Sequence, residues 1–501
     1  MRRSVVVLPL LVLAIAFGAA CGSSSSEHAS SSDGGAGDDA DEPSITYAPA
    51  GCAYTVMAPA SRGFINQSLD APTAFSDATM AVPVRVRLGL GGGTTFGQAG
   101  YPDPTTSAAV TWETAATDVV AAQVQIGKSP TALSTLQTGM SWTTPAPMVG
   151  IGDSEPPARM HEVHICGLTP ATTYYYRVGG GPAASPVWSA TQSFTTIAPS
   201  GAMTIGVSGD SRDSSDVFQL LQLRMRDAAV AAQLFGGDFV LWGAQESLYA
   251  TWLSAAWKDP NDATKFLTLG QQMILAVPGN HENDSSQFFG NFAIPGDGMY
   301  AKTYGSVLLG SAHVLLLDDE QIADNPAGAE ALAQLAWIDA DLAAAEADRA
   351  NHPFIVAIHH RGELATGMHS ADPDVAAARA ALMPLWDKHH VDVVFNGHEH
   401  DYERSKPSTG PATAPVPQTA PSTGTTYIVC AGAGADSDPP GTTVVDYRAI
   451  SVAFGTGTPY VGVYGLLTLD AHSLGWTAYG MKLSGGTVAG DDVVDTYAAS
   501  R

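Results

Sequence analysis

The sequence predicts a two-part fold, an all-β module followed by a layered α/β domain, and three observations carry that reading. Period-two alternation of apolar and polar residues dominates from Val82 onward. A short Pro/Gly stretch, Ile197-Ala198-Pro199-Ser200-Gly201, then interrupts it. Beyond that break, short apolar runs alternate with helical stretches, the mark of a layered α/β domain. A chain of 501 residues has room for two or three domains and a large core. It carries 49 acidic against 23 basic residues, a net charge of −26, and no basic block. Nothing in it therefore supports a nucleic-acid-binding surface, and its long-range field repels polyanions.

Taken in order, Met1-Arg2-Arg3 opens a positive segment, and the apolar stretch 5–17 is too short to span a membrane. Gly18-Ala19-Ala20-Cys21 resembles a bacterial lipobox, with Gly18 where a larger aliphatic residue is usual. Residues 1–21 thus read as a signal peptide that leads to an exported protein held at a membrane by lipid on Cys21; ordinary cleavage near Ala20, and secretion, is the alternative. Residues 22–44, rich in Ser, Gly, Asp and Glu, read as a flexible tether. Residues 45–80 read as a wrapped N-terminal extension. Cys52, Cys166 and Cys430 allow at most one internal disulfide. The apolar surroundings of Cys166 and Cys430 predict small core residues, and Cys52 has no assignment. No Cys-x-x-Cys occurs, which argues against a cysteine-built zinc site.

Residues 81–198 form the predicted all-β module, with strands near 84–88, 109–113 and 120–126 separated by Gly- and Pro-rich breaks. Leu168-Thr169-Pro170-Ala171-Thr172-Thr173-Tyr174 resembles the entry to a late strand of fibronectin type III sandwiches. That resemblance makes Tyr174 a tyrosine-corner candidate and Trp112 a core tryptophan. In the α/β part, 201–500, strands are expected at 204–208, 231–235, 274–277, 314–317, 354–358, 391–395, 427–429 and 461–469. Helices are expected at 215–229, 327–349 and 374–389, and 407–425 as an exposed loop.

Five strand ends present polar residues: Gly209-Asp210-Ser211-Arg212, Gly237-Asp238, Gly279-Asn280-His281-Glu282, His359-His360-Arg361 and Gly397-His398-Glu399-His400. Four have a glycine before the polar residue, suited to a sharp turn at the strand tip. Seven of the fourteen histidines lie between His359 and His400. Carboxylate, amide and imidazole groups gathered at the carboxyl ends of strands suit a transition-metal site.

These motifs, with the run Gly397-His398-Glu399-His400-Asp401-Tyr402-Glu403-Arg404, resemble those of the calcineurin-like metallophosphoesterases, and of the purple acid phosphatases in particular. The resemblance covers about residues 80 to 480. It implies a four-layer αββα sandwich behind a fibronectin type III-like sandwich. It implies two metal ions, Fe, Mn or Zn, with Asp238 bridging them, Asp210 and His400 on the first, and Asn280, His359 and His398 on the second. It implies hydrolysis of a small phosphorylated substrate by a metal-bound hydroxide, with His281 as catalytic acid. Arg212, His360 and His369 become candidate substrate contacts. Two departures stand out: Leu241 occupies the position of the purple acid phosphatase tyrosine, and Arg212 that of a histidine common in the wider superfamily. An exported phosphomonoesterase is the leading expectation. A phosphodiesterase on the same core, and a surface-binding protein with a decayed phosphatase domain, are the alternatives.

Overall fold

A computed structural model describes residues 46–57, 79–93, 95–115, 119, 121–143, 158–181, 185–282, 284–296, 303–411, 413–439, 441, 444–484, 487–488 and 490–501. Residues 1–44, Cys21 among them, and most of 58–80 lie outside these. Among the described residues, no helix is long and apolar enough to cross a membrane.

The α/β part is built on two sheets whose alternation assigns each face. In the strand Phe354–Ile358, Phe354, Val356 and Ile358 join the core between the sheets, while Ile355 and Ala357 join the core beneath the outer helices. Val393 and Val394 divide in the same way. This seven-stranded sheet runs Gly305–Leu309, Ala312–Leu316, Phe354–Ile358, Val393–Asn396, Thr426–Cys430, Tyr402–Ser405, Arg448–Val452. Its four strands from Ala312–Leu316 to Thr426–Cys430 are parallel, so their carboxyl ends share one edge. The helices Ala329–Ala347 and Pro373–His389 cover its outer face through Ile338, Leu342, Leu382 and Trp386. The other sheet holds Met203–Ser208, Ala232–Phe235 and Met273–Ala276, also parallel. The helices Ser215–Asp227 and Glu246–Trp257 pack with it through Phe218, Leu221, Tyr249 and Leu253. Ser214 caps the first of these, its side chain accepting from the Val217 amide.

The front module is continuous with that second sheet. Met273 pairs with Leu88, so Val84–Gly89, Ala108–Thr114, Arg159–Ile165 and Met140–Thr143 extend it on one side, and with Gly462–Leu469, Ser473–Met481 and Asp492–Ser500 on the other it has ten strands. A separate sheet of Thr135–Thr138, Gln123–Gly127, Thr173–Gly180, Val187–Trp188 and Gln192–Thr195 completes the module. The Tyr174 hydroxyl accepts from the Thr169 amide at 2.9 Å, and Trp112 is fully buried. The expectation for Cys166 is corrected: it forms a disulfide with Cys52, across 114 residues of chain, and ties the segment Val56–Met57 and its neighbours to the module. Cys430 is free and buried as expected. Further elements lie where the sequence pattern predicts none: the helix Glu246–Trp257, the strands Gly305–Leu309, Tyr402–Ser405 and Arg448–Val452 of the seven-stranded sheet, and Ser473–Met481 and Asp492–Ser500 at the end of the ten-stranded one.

A buried ion cluster fixes the junction. Glu113 is fully buried and accepts from Arg87 Nη1 at 2.8 Å and from Arg85 Nε at 3.0 Å. Arg87 Nε reaches the Asn291 carbonyl at 2.7 Å, and Asn291 donates to Glu246 at 3.1 Å. Removing one member of a buried pair strands the others. Glu113→Ala is expected to destabilise the fold by about 3–5 kcal/mol, measured by urea unfolding; a loss below about 1 kcal/mol would show that the cluster is wet.

Candidate metal centre

The parallel strands end at one edge, and there the polar tips converge. Asp210, Asp238 and His400 bring ligand atoms within 4.8 Å of one another, all three buried. His400 Nε2 is 3.7 Å from Asp210 Oδ1. Beside them, His360 Nε2 lies 2.9 Å from Asn280 Oδ1, 3.2 Å from His398 Nδ1 and 3.4 Å from Asp238 Oδ1. His398 Nδ1 is 3.0 Å from the same amide oxygen. Asp238 therefore stands between two clusters of acceptors.

His359, expected as a ligand, is elsewhere. Alternation along Phe354–Ile358 turns odd positions toward the outer helices, and His359 follows Ile355 and Ala357. Its ring stacks on Trp386, with Nδ1 3.0 Å from Asp319 and Nε2 3.0 Å from Glu363. Burial opposes its charge, but Glu363 and Asp319 hold its pKa up to about 10, so it is an imidazolium locked between carboxylates. His360, expected at the substrate, turns to the inter-sheet side and joins Asn280 and His398. Nor are His398 and His400 arranged as on an extended strand: His398 has φ 73°, and the two rings go to different clusters.

The strain lies on the polar residues rather than on most of the glycines. Asp210, Asp238 and His398 have φ of 60°, 54° and 73°. Gly279 and Gly397 have ordinary φ but no room: a Cβ would come within 2.4 Å of Asp238 Oδ1 and 2.3 Å of Asp210 Oδ2 respectively. Glu282 holds the tips in place. Its buried carboxylate accepts from the amides of Asp238 at 2.7 Å, Phe239 at 2.9 Å and Gly279 at 2.8 Å.

The electrostatics suit cations. His360 Nδ1 donates to the Gly236 carbonyl and His400 Nδ1 to the Asp436 carbonyl, so each Nε2 turns a lone pair inward. Burial lowers the pKa of His360, His398 and His400, which keeps them in the neutral, ligating form. Burial and then the charge of Asp238 push Asp210 well above the usual carboxylate range. Asp238, though buried, is held below that range by His360 and His281. Asp210 Oδ2 and His398 Nε2 are buried without a hydrogen-bond partner. Lone pairs and carboxylates packed this closely fit metal ions, which would relieve them.

His281 and Arg212 border the cluster. His281 Nδ1 donates to the Leu241 carbonyl at 2.8 Å, leaving Nε2 3.9 Å from Asp238 Oδ2 and in contact with Arg212 Nη1. Arg212 Nη1 is 4.0 Å from Asp238. The His369 ring lies 4.9 Å from that of His398, and its Nδ1 is 2.9 Å from Asp372. Two carboxylates that the sequence motifs do not single out complete the surroundings. Asp438 lies 3.5 Å from His400 and 3.8 Å from His369, and Asp319 holds His359. Asp319 comes soon after the apolar strand Ala312–Leu316, the same signal that marks the other tips, whereas Asp438 lies a loop beyond Thr426–Cys430.

Residues 97–196 match the purple acid phosphatase N-terminal domain, and residues 203–402 the calcineurin-like phosphoesterases. An uncharacterized protein of Mycobacterium tuberculosis is 26% identical over 286 residues, covering 50% of this chain and 52% of that one. Purple acid phosphatase 21 of Arabidopsis thaliana is 26% identical over 292 residues, covering 58% of this chain and 61% of that one. The chain thus spans about half of the mycobacterial relative's length, and somewhat more of the plant one. In fold it is similar to the purple acid phosphatase PPD1 of yellow lupin seeds, with a TM-score of 0.63 at 18% identity, over 84% of this chain and 75% of that one. The two family matches in sequence order, on that fold, show the chain to be a purple acid phosphatase-like metallophosphoesterase, of a family of metal-dependent phosphoric ester hydrolases that use paired Fe, Mn or Zn ions.

Proposed function

We propose that this protein is an exported phosphomonoesterase working with two metal ions. The observation that carries the reading is Asp238 lying against both clusters, grouped with Asp210 and His400 on one side and 3.4 Å from His360 Nε2 on the other, with a buried orphan oxygen on Asp210. Asp210, Asp238 and His400 would hold one ion; Asp238, Asn280, His360 and His398 would hold the other. When bound, such a pair lowers the pKa of a water and stabilises charge on the phosphoryl oxygens.

The chain's own groups do the rest. Arg212 beside Asp238 presents a guanidinium to the phosphate, whose geometry it matches. The tie to the Leu241 carbonyl fixes the His281 ring so that Nε2 faces the site and can pass a proton to the leaving oxygen. His369, partly exposed next to His398, contacts the same substrate. With Arg212 and two further imidazoles facing solvent, the donors suit the doubly charged phosphate of a monoester. The front module, 81–198, reads as fibronectin type III-like, supported by its two sheets and the Tyr174–Thr169 hydrogen bond; 201–500 is the catalytic domain. Export, with lipid on Cys21 or free secretion, rests on the leader-like sequence alone.

Elemental analysis is expected to find two ions per chain, with aryl phosphate turned over faster than a bis-aryl phosphate. Asp238→Asn should abolish turnover and reduce metal content; an active variant would refute the shared ligand. His360→Asn should cost one ion. By contrast, His359→Asn should keep both ions but destabilise the fold by about 3–5 kcal/mol, since it strands Asp319 and Glu363; loss of metal at unchanged stability would return His359 to the ligand set. Arg212→Ala should raise the KM for phosphate esters about ten- to a hundredfold with metal content intact; a drop in bound metal would show that Arg212 only supports Asp238.

A further inference from the structure

Trp242 is the one aromatic side chain left exposed among the described residues, at 50% of its surface. Its backbone is nevertheless held firmly. On one side the Leu241 carbonyl accepts from His281 Nδ1 at 2.8 Å; on the other the Gly243 amide donates to the His281 carbonyl at 2.8 Å. The Trp242 carbonyl accepts from the Gln245 amide at 3.0 Å. Gly243 cannot carry a side chain here, because a Cβ would lie 2.2 Å from the Glu282 carbonyl. The indole thus stands beside the His281 ring, centroids 6.4 Å apart and planes at 60°, without being buried by it. What sets this indole apart is its place: a rigidly mounted apolar surface open to water directly beside an ionic site, where an aromatic group could lie against it.

The position says which part of a substrate that is. The inference rests on the proposed phosphomonoesterase chemistry, in which His281 delivers its proton to the leaving oxygen, so the ring next to His281 faces the leaving group. We infer that Trp242 forms a leaving-group subsite for aromatic alcohols, and that aryl phosphate monoesters are the preferred substrate class. An arene there gains a stacked or edge-on partner and sheds water, whereas a small polyol gains neither.

The test uses the metal-loaded full chain and two variants, Trp242→Ala and Trp242→Phe. The ratio of kcat/KM for 1-naphthyl phosphate to that for glycerol phosphate should fall about tenfold in Trp242→Ala and largely recover in Trp242→Phe. Calorimetric titration with non-hydrolysable phosphonates gives a readout without turnover: benzylphosphonate should lose about tenfold in affinity relative to methylphosphonate in Trp242→Ala. An unchanged ratio, or equal losses for both phosphonates, would overturn the subsite and leave Trp242 as packing for His281. If the wild type hydrolyses neither phosphate, the phosphomonoesterase reading fails, and the phosphonate pair still decides the subsite.

Discussion

The carboxylate of Glu282 is the interaction on which the site depends. It is buried and accepts backbone N–H groups from two strand tips at once, Asp238 and Phe239 on one and Gly279 on the other. Those tips carry Asp238 and Asn280, and His281 follows directly. The Asp238 backbone, at φ 54°, sits in a conformation that a non-glycine residue rarely adopts unassisted. Burial and the charge of Asp238 raise the Glu282 pKa well above its ordinary value, so the amide donors oppose a real cost. A single anchored carboxylate thereby sets the spacing of several functional side chains that are far apart in the sequence.

Around that anchor, the chain assembles groups that repel one another. Backbone carbonyls take the outward N–H of His360 and His400, and their inward nitrogens join carboxylate and amide oxygens as acceptors. The strands that deliver them are fixed by two large apolar cores, which supply the free energy to hold the arrangement. The second half of the Gly397–Arg404 run contributes to that rigidity rather than to the site. The Tyr402 hydroxyl and Arg404 both bind Asp495 on the last strand, at 2.6 Å each, and Glu403 accepts from the Thr366 amide at 2.8 Å.

Much of this was legible in the sequence because strands that end in Gly-Asp, Gly-Asn-His or Gly-His read the same way at every tip. Most of the parallel α/β strands are legible as short, largely apolar runs, whereas Gly305–Leu309, Tyr402–Ser405 and Arg448–Val452 lie outside the expected strands. Nor is the helix Glu246–Trp257 legible, since Ala250 and Trp257 carry apolar surface round to the side opposite Leu248 and Trp252, and no side chain caps it at Gln245. The closing strands Ser473–Met481 and Asp492–Ser500 are broken up by glycine or acidic residues. Two adjacent histidines at one tip were separable by parity alone: counting in twos from Phe354, Val356 and Ile358 leads to His360. Resemblance favoured the first of the pair, and alternation overrules it. The Cys52–Cys166 link joins segments with no shared pattern, so nothing local announced it.

The single pairing of Met273 with Leu88 has a further consequence. Without Val84–Gly89 beside it, Met273–Ala276 would be the last strand of its sheet, short, wholly apolar and with one row of amides and carbonyls unanswered. Such a border invites self-association through added strands. The front module therefore serves as a hem on the hydrolase fold, and trimming the chain back to the α/β part would trade a sealed border for an adhesive one.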